Sequence, residues 1–225
     1  MIPITVLLAD DHQIVREGFR SLLEHERDIE VVGEAANGRE AVQLTRKLRP
    51  AVVVMDIAMP LLNGLEATRQ IHKSFPDTRV LILSAHSDEV YVDQAVVLGA
   101  AGYLLKQTSA HDLARAIREV HKSNTFFSPL ISSRVQVHRQ KPVNRAGNSR
   151  MTSSRLSSRE VEVLQLIAEG VPNKKAATEM GVSFKTVEKH RQHLMNKLDI
   201  HDAAGLTRYA IARGIVENNV LGKFN

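Results

Sequence analysis

The sequence predicts two folds in one chain: an α/β half on a doubly wound, five-stranded parallel sheet, then a small all-α half of four helices. Three observations carry this reading. Through about residue 122, short Val-, Ile- and Leu-rich runs alternate with stretches of helical periodicity. That alternation is what a parallel sheet covered on both faces requires. Beyond Asn124 it stops, and the run from Arg139 to Arg150 is basic, contains no acid and offers little to bury. From Arg155 onward only helical spacing is seen, broken at Gly170 and Gly181.

The elements follow in order. Ile4 to Ala9 is an apolar strand, and Gln13 to His25 carries Val15, Phe19, Leu22 and Leu23 at helical spacing. Glu30 to Glu34 is a second strand and Ala41 to Leu48 a second helix. Pro50 introduces the run Ala51-Val-Val-Val-Met-Asp56, a third strand that ends in a carboxylate. Leu65, Thr68, Ile71 and His72 space a helix that ends near Pro76. Arg79 to Ser84 is a fourth strand, Tyr91 to Leu98 a helix and Ala101 to Leu105 a fifth strand. Leu113, Ala116, Ile117 and Val120 close the half with an amphipathic helix.

Residues 1–122 therefore form the first domain. Residues 123–152 form a linker, with a short helix over 128–138 started by Ser128 as cap and Pro129 in the first turn. Residues 153–217 form the second domain. There Ser157-Ser-Arg-Glu160 has the form of a capping box, and Val161, Leu164, Ile167 and Ala168 make one helix face. Asn173 to Met180 is a second helix, Ser183 caps a third with Val187, Leu194 and Leu198 inward, and Ala203 to Ala212 is a fourth. Short helices joined by glycine-containing turns fit a helix-turn-helix module.

Composition narrows the function. The chain has 225 residues, 43% apolar, with no Cys, which rules out disulfides and thiolate metal sites and suits a reducing cytoplasm. The start lacks the basic n-region of a signal peptide and reads as a strand. No apolar run approaches the ~20 residues that span a bilayer, so no membrane partner is expected. Charge is split: residues 1–122 hold 14 Lys and Arg against 17 Asp and Glu, a net −3, and the remainder holds 16 against 8, a net +8. A basic second half is suited to a polyanion.

In a parallel sheet the strand ends share one edge, where open α/β folds bind their ligands. Here the ends are Asp10-Asp11, Asp56, Ser84 and the approach to Lys106. Clustered carboxylates repel unless a cation neutralises them, and all-oxygen donors select a hard ion such as Mg²⁺. Asp56 is then a carboxylate nucleophile towards phosphorus. Lys106 offsets the added charge and the Ser84 hydroxyl donates to a phosphoryl oxygen. Each residue taken singly has a plain alternative, as turn residue, helix cap or surface charge. Together at the strand ends they favour one site.

These residues, with Met59-Pro60, Gly64, Ala85 and Tyr103-Leu-Leu-Lys106, resemble the receiver domain of two-component response regulators, a flavodoxin-like fold. The resemblance implies that Asp56 accepts a phosphoryl group from a sensor histidine kinase. It also implies that Mg²⁺ or Mn²⁺ is held by Asp10, Asp11, Asp56 and the Ala58 backbone carbonyl. Ser84 and Tyr103 become a switch pair, the hydroxyl moving to the phosphate and the ring turning inward. Gln107 stands where many receivers have Pro. Ala58 and His86 stand two residues past Asp56 and Ser84, where side chains steer the hydrolytic water.

In the second half Lys185, Lys189 and Arg191 lie mostly off the apolar face of one helix, as a helix entering the major groove requires; taken alone, the same pattern fits a solvated basic face better. Leu156-Ser-Ser-Arg-Glu160, Ile167-Ala-Glu-Gly170, Asn173-Lys174, Thr186-Val-Glu-Lys-His190 and Lys197-Leu198 are similar to the LuxR-type output domain of the NarL/FixJ group. The resemblance implies Lys185, Thr186, Lys189 and His190 at the groove of double-stranded DNA, with Lys174 and Arg191 on phosphates. It further implies a dimer contact through Ala203, Leu206, Tyr209 and Ala210, whose plain alternative is core packing, with room for several of them to do both, and RNA polymerase as a further partner. Glu188 departs from members with Lys there, and either reads cytosine or restrains a neighbouring cation. His190 and His193 lack a convincing third metal ligand and read as surface or DNA-facing.

The expected function is a transcription regulator that dimerises on phosphorylation and binds paired half-sites. Two other classes share parts of the pattern. Aspartyl-phosphate phosphatases favour an acid two residues after the nucleophile, where this chain has Ala58, so no enzymatic turnover on an external substrate is expected. A receiver kept only for dimerisation would not need Asp10, Asp11, Asp56, Ser84 and Lys106 together.

Overall fold

The computed structural model describes residues 2–85, 89–127 and 156–217. The chain divides into two compact units. The first contains β1 (Ile4–Ala9), α1 (Gln13–Leu23), β2 (Ile29–Ala35), α2 (Gly38–Leu48), β3 (Val52–Met55), α3 (Gly64–Ser74), β4 (Arg79–Ser84), α4 (Glu89–Val97), β5 (Gly102–Leu105), α5 (Ala110–His121) and β6 (Phe126–Phe127). The strands form one sheet in the order β2-β1-β3-β4-β5-β6, every pairing parallel.

The period-two alternation of strand side chains divides the core into two layers. Leu7, Ala9, Val53, Met55, Ile82 and Tyr103 face one side, against Ala41 of α2, Ile71 of α3 and Ala95 of α4. Val6, Leu8, Val54, Leu81, Leu83 and Leu104 face the other, against Leu23 of α1 and Leu113 and Ile117 of α5. Each fully buried Leu or Ile contributes about 1.5–3 kcal/mol. Asn37, Asn63 and Ser109 cap α2, α3 and α5, each side chain accepting from the amide three residues on.

The sheet has six strands rather than five. Phe126 and Phe127 pair with Gly102 and Tyr103 at the open edge of β5. Two residues carry too short a pattern to read as a strand in the sequence, and the edge of β5 supplies the missing partner. The sheet thus continues past residue 122, into the stretch assigned to the linker. The expected helix over 128–138 and the run to Arg150 lie outside the described residues.

The second unit contains α6 (Ser158–Ala168), α7 (Asn173–Met180), α8 (Phe184–Leu198) and α9 (Ala203–Ala212). Ser157 and Glu160 form the capping box, and Gly181 ends α7 at φ +63. The expected single face on α6 is too narrow. Val163, Leu166, Glu162 and Gln165 are buried as well, because α6 lies against both α8 and α9. Within α8, Val187 and Leu194 are buried and Leu198 is half-buried.

Candidate functional site

The sheet order reverses at β1, which has β2 on one side and β3 on the other. In open α/β sheets the crevice at such a point binds ligands, at the C-terminal strand ends. Asp10 follows β1 and Asp56 follows β3. The Asp56 amide donates to the Ala9 carbonyl (2.8 Å), which holds the two chain ends side by side. Ser84 closes β4, and the Lys106 amide donates to its carbonyl (2.8 Å). Asp10, Asp56 and Ser84 are 5%, 3% and 0% exposed.

Lys106 Nζ lies 2.7 Å from Asp10 Oδ2 and 2.8 Å from Asp56 Oδ2. The remaining oxygens are held by backbone: Asp10 Oδ1 accepts from the His12 amide (2.9 Å) and Asp56 Oδ1 from the Ile57 amide (2.8 Å). Burial pushes the Asp56 carboxyl up to about 6, helped by the Asp10 charge and opposed by Lys106. Burial also works against the Lys106 charge, but the Asp56 and Asp10 carboxylates outweigh it and hold the ammonium above its usual range.

Asp11 completes the acidic group. Its Oδ1 is shielded from solvent and accepts no aligned hydrogen bond; the His12 Nδ1 atom is 2.8 Å away, near enough for an ion pair when the ring is protonated. Ligand atoms of Asp10, Asp11, His12 and Asp56 all lie within 4.8 Å of one another. The donor set and the orphaned Asp11 oxygen fit a divalent cation. Nearby, the Ile57 carbonyl accepts from the Met59 and Gly64 amides, whereas the Ala58 carbonyl accepts nothing from the described residues. Gly64 is required here, since a Cβ would overlap the Asp56 carbonyl oxygen.

Tyr103 pairs with Ile82 and is fully buried, its ring inside the layer that contains Met55. Ser84 and Tyr103 thus occupy neighbouring strands, both out of solvent. The Lys106–Gln107 peptide is trans. His86 lies outside the described residues.

Sequence reasoning passed over two residues. His12 sits beside the acids, and its signal was only adjacency to Asp11. Arg16, 13% exposed at its side chain, donates through Nη1 to the Asp10 carbonyl (2.6 Å) and pairs with Glu34 (3.4 Å). In sequence it is one more arginine on a helix, because its partner Glu34 comes from another strand.

The basic residues of the second unit separate by role. Lys174, Lys185 and Lys189 are exposed, and His190 is half-buried. Thr186 is engaged in the helix start: its amide donates to Ser183 Oγ (3.1 Å) and the two hydroxyls are 2.8 Å apart. Arg191 Nη1 donates to Asn173 Oδ1 (3.2 Å), tying α8 to α7. Lys197 bonds Glu160 (3.0 Å), so the capping-box acid also holds α8. Of the four residues expected at a dimer contact, Leu206 and Ala210 are 0% exposed. Both pack inside the unit, because α9 turns this face onto α6. Ala203 is exposed and Tyr209 half-buried, its ring under Arg213 at 5.2 Å.

Residues 6–118 match the response regulator receiver domain, and residues 154–210 match the LuxR family of bacterial regulatory proteins. The chain is a response regulator of the LuxR family. It is 39% identical over 214 residues to the oxygen regulatory protein NreC of Staphylococcus carnosus (strain TM300), covering 94% of this chain and 99% of that protein. A LuxR-family response regulator from Aurantimonas sp. SI85-9A1 is 36% identical with a TM-score of 0.58, covering 61% of this chain and 98% of that one. The Salmonella typhimurium response regulator RcsB is 28% identical with a TM-score of 0.59, covering 95% and 99%. This response regulator therefore joins a receiver to a LuxR-type DNA-binding domain. No helix among its described residues is long and apolar enough to cross a membrane.

Proposed function

We propose that Asp56 accepts a phosphoryl group from a phosphohistidine of a sensor histidine kinase, and that this event controls how the LuxR-type unit meets double-stranded DNA. The observation that carries the reading is the Asp56 carboxylate itself. It is buried between a second acid and an ammonium, on a chain that also bears a DNA-binding domain.

An Asp56 carboxylate oxygen attacks phosphorus while the phosphorus–nitrogen bond breaks. The bonding electrons go to the imidazole nitrogen, which takes up a proton and leaves. Asp10, Asp11, Asp56 and the Ala58 carbonyl hold Mg²⁺ or Mn²⁺, which when bound neutralises charge on the phosphoryl oxygens. Lys106 exchanges its contact with Asp56 for a phosphoryl oxygen. The Ser84 hydroxyl donates to another, and Tyr103 keeps to the interior behind it. Full burial of that ring supports an inward seat for it.

Residues 1–122, the 123–152 linker and residues 153–217 then act as sensor, connection and output, in the cytoplasm where both kinase and DNA are met. Lys185, Lys189 and His190 face the groove, with Thr186 shaping the helix start. Lys174 grips phosphate, and Arg191 does so while bracing α7. Phosphorylation promotes a homodimer on paired half-sites, with Ala203 and Tyr209 as the accessible part of its α9 contact and RNA polymerase as a further partner on the DNA. No turnover on outside phosphoesters is expected, because Ala58 offers no acid to a leaving group.

The test compares DNA binding and oligomeric state of the full chain with and without beryllofluoride and Mg²⁺. Tighter binding with dimer formation is expected. Equal affinity and equal mass would overturn the switching reading, and failure of Asp56 to label from any phosphodonor would leave the receiver as a dimerisation module.

A further inference from the structure

We infer that Phe184 reads the 5-methyl group of a thymine in the major groove. This rests on the DNA-binding reading above and adds a base preference to it. Phe184 is the first residue of α8, directly after its cap Ser183, and it is 48% exposed. It is the only large apolar side chain left exposed among the described residues of the second unit. About half of the residue is thus covered by its own unit, and the rest stands in water at the first turn of a helix.

Its surroundings choose the occupant. Lys185 and Lys189 are exposed beside it, and the first turn of α8 carries no acid. The positive end of the helix dipole is therefore uncompensated and, with the two lysines, favours an anionic polymer. The N-terminal residues of such a helix reach base edges.

Side chains four residues apart on a helix share a face. One row of α8 is Lys185 and Lys189, exposed and positively charged. The adjacent row is Phe184 and Glu188, which phosphate does not attract. Glu188 is exposed and has no ion-pair partner among the described residues, so it does not restrain a neighbouring cation here. A row that is apolar and then acidic complements base edges. The apolar group there is the thymine methyl, and a carboxylate accepts from the cytosine amine. The ring is thus matched to thymine, with cytosine preferred about one to two base steps away.

The test uses duplexes selected from a random-sequence pool by the full chain with beryllofluoride and Mg²⁺. Each thymine is then replaced in turn by deoxyuridine, which removes only the methyl group. Replacement at one thymine per half-site should weaken wild-type binding roughly fourfold, the worth of one buried carbon. Phe184→Ala should bind the thymine and uracil duplexes equally, and Phe184→Leu should keep part of the difference. A wild-type protein indifferent to every replacement, or a Phe184→Ala protein with an unchanged thymine preference, would overturn the inference. Failure to select any sequence would instead count against the DNA-binding reading beneath it.

Discussion

The Lys106 ammonium lies 2.8 Å from the Asp56 carboxylate, and 2.7 Å from that of Asp10. One cation therefore balances two buried acids. Removing it with Lys106→Met leaves both carboxylates unneutralised, and loss of one partner from a buried pair costs about 3–5 kcal/mol. Denaturant unfolding at neutral pH should show a loss of that order in metal-free protein, with part recovered when Mg²⁺ is added. Equal stability of the variant and wild type would refute the arrangement.

The position of Asp56 on the pH scale has two consequences. Its carboxyl is raised from 3.8 to about 6 by burial. The folded state therefore binds this proton more tightly than the unfolded chain. The resulting stabilisation is fully present below about 3.8 and is lost as pH rises through about 6. Above that pH the charged group opposes folding, so Asp56→Asn should stabilise the metal-free protein at neutral pH by on the order of 1–3 kcal/mol. Mg²⁺ held by the same carboxylate favours its charged form, so adding Mg²⁺ should move the Asp56 titration, followed by NMR in metal-free and Mg²⁺-loaded protein, below about 6. A titration unmoved by Mg²⁺ would show that Asp56 does not hold the ion.

Gly64 gives a steric test. A Cβ there would strike the Asp56 carbonyl oxygen, and inserting a methyl group into such packing costs about 1–3 kcal/mol. Gly64→Ala is expected to lower the melting temperature and to weaken Mg²⁺ binding by isothermal titration, whereas Gly18→Ala, with open space around it, should do neither.

On the DNA side, exposure separates the basic residues. Lys185→Ala and Lys189→Ala should each weaken binding and lower the salt dependence by about one phosphate contact, without changing unfolding. Arg191→Ala should also lower the stability of the helical unit, because its hydrogen bond to Asn173 joins α7 to α8. Parallel salt titrations and thermal melts distinguish these outcomes.

Much of this was legible before any coordinates. Strand ends are marked by apolar runs that stop at Asp10, Asp56 and Ser84, and a parallel sheet has only one edge on which those ends can meet. The capping box at Ser157 and Glu160 was equally plain, since its spacing is local. What escaped depends on partners far along the chain. Arg16 gains its meaning from the Asp10 carbonyl and Glu34, and Lys197 from Glu160. The β6 strand exists because β5 has a free edge. Leu206 and Ala210 have the same helical spacing whether they face a core or a second copy, and only the neighbouring helix shows that they are covered within the unit.

The acidic site draws one residue or more from each of β1, β3, β4 and β5 or from the turns that follow them, which are adjacent in the sheet. None of these pairings is local, and the chain must close crossovers from Asp10 to Lys106 before the acids and the ammonium meet. On the role proposed for Asp56, competence to receive a phosphoryl group is therefore a certificate of complete folding: a nascent or partly unzipped receiver has the aspartate but not the site around it.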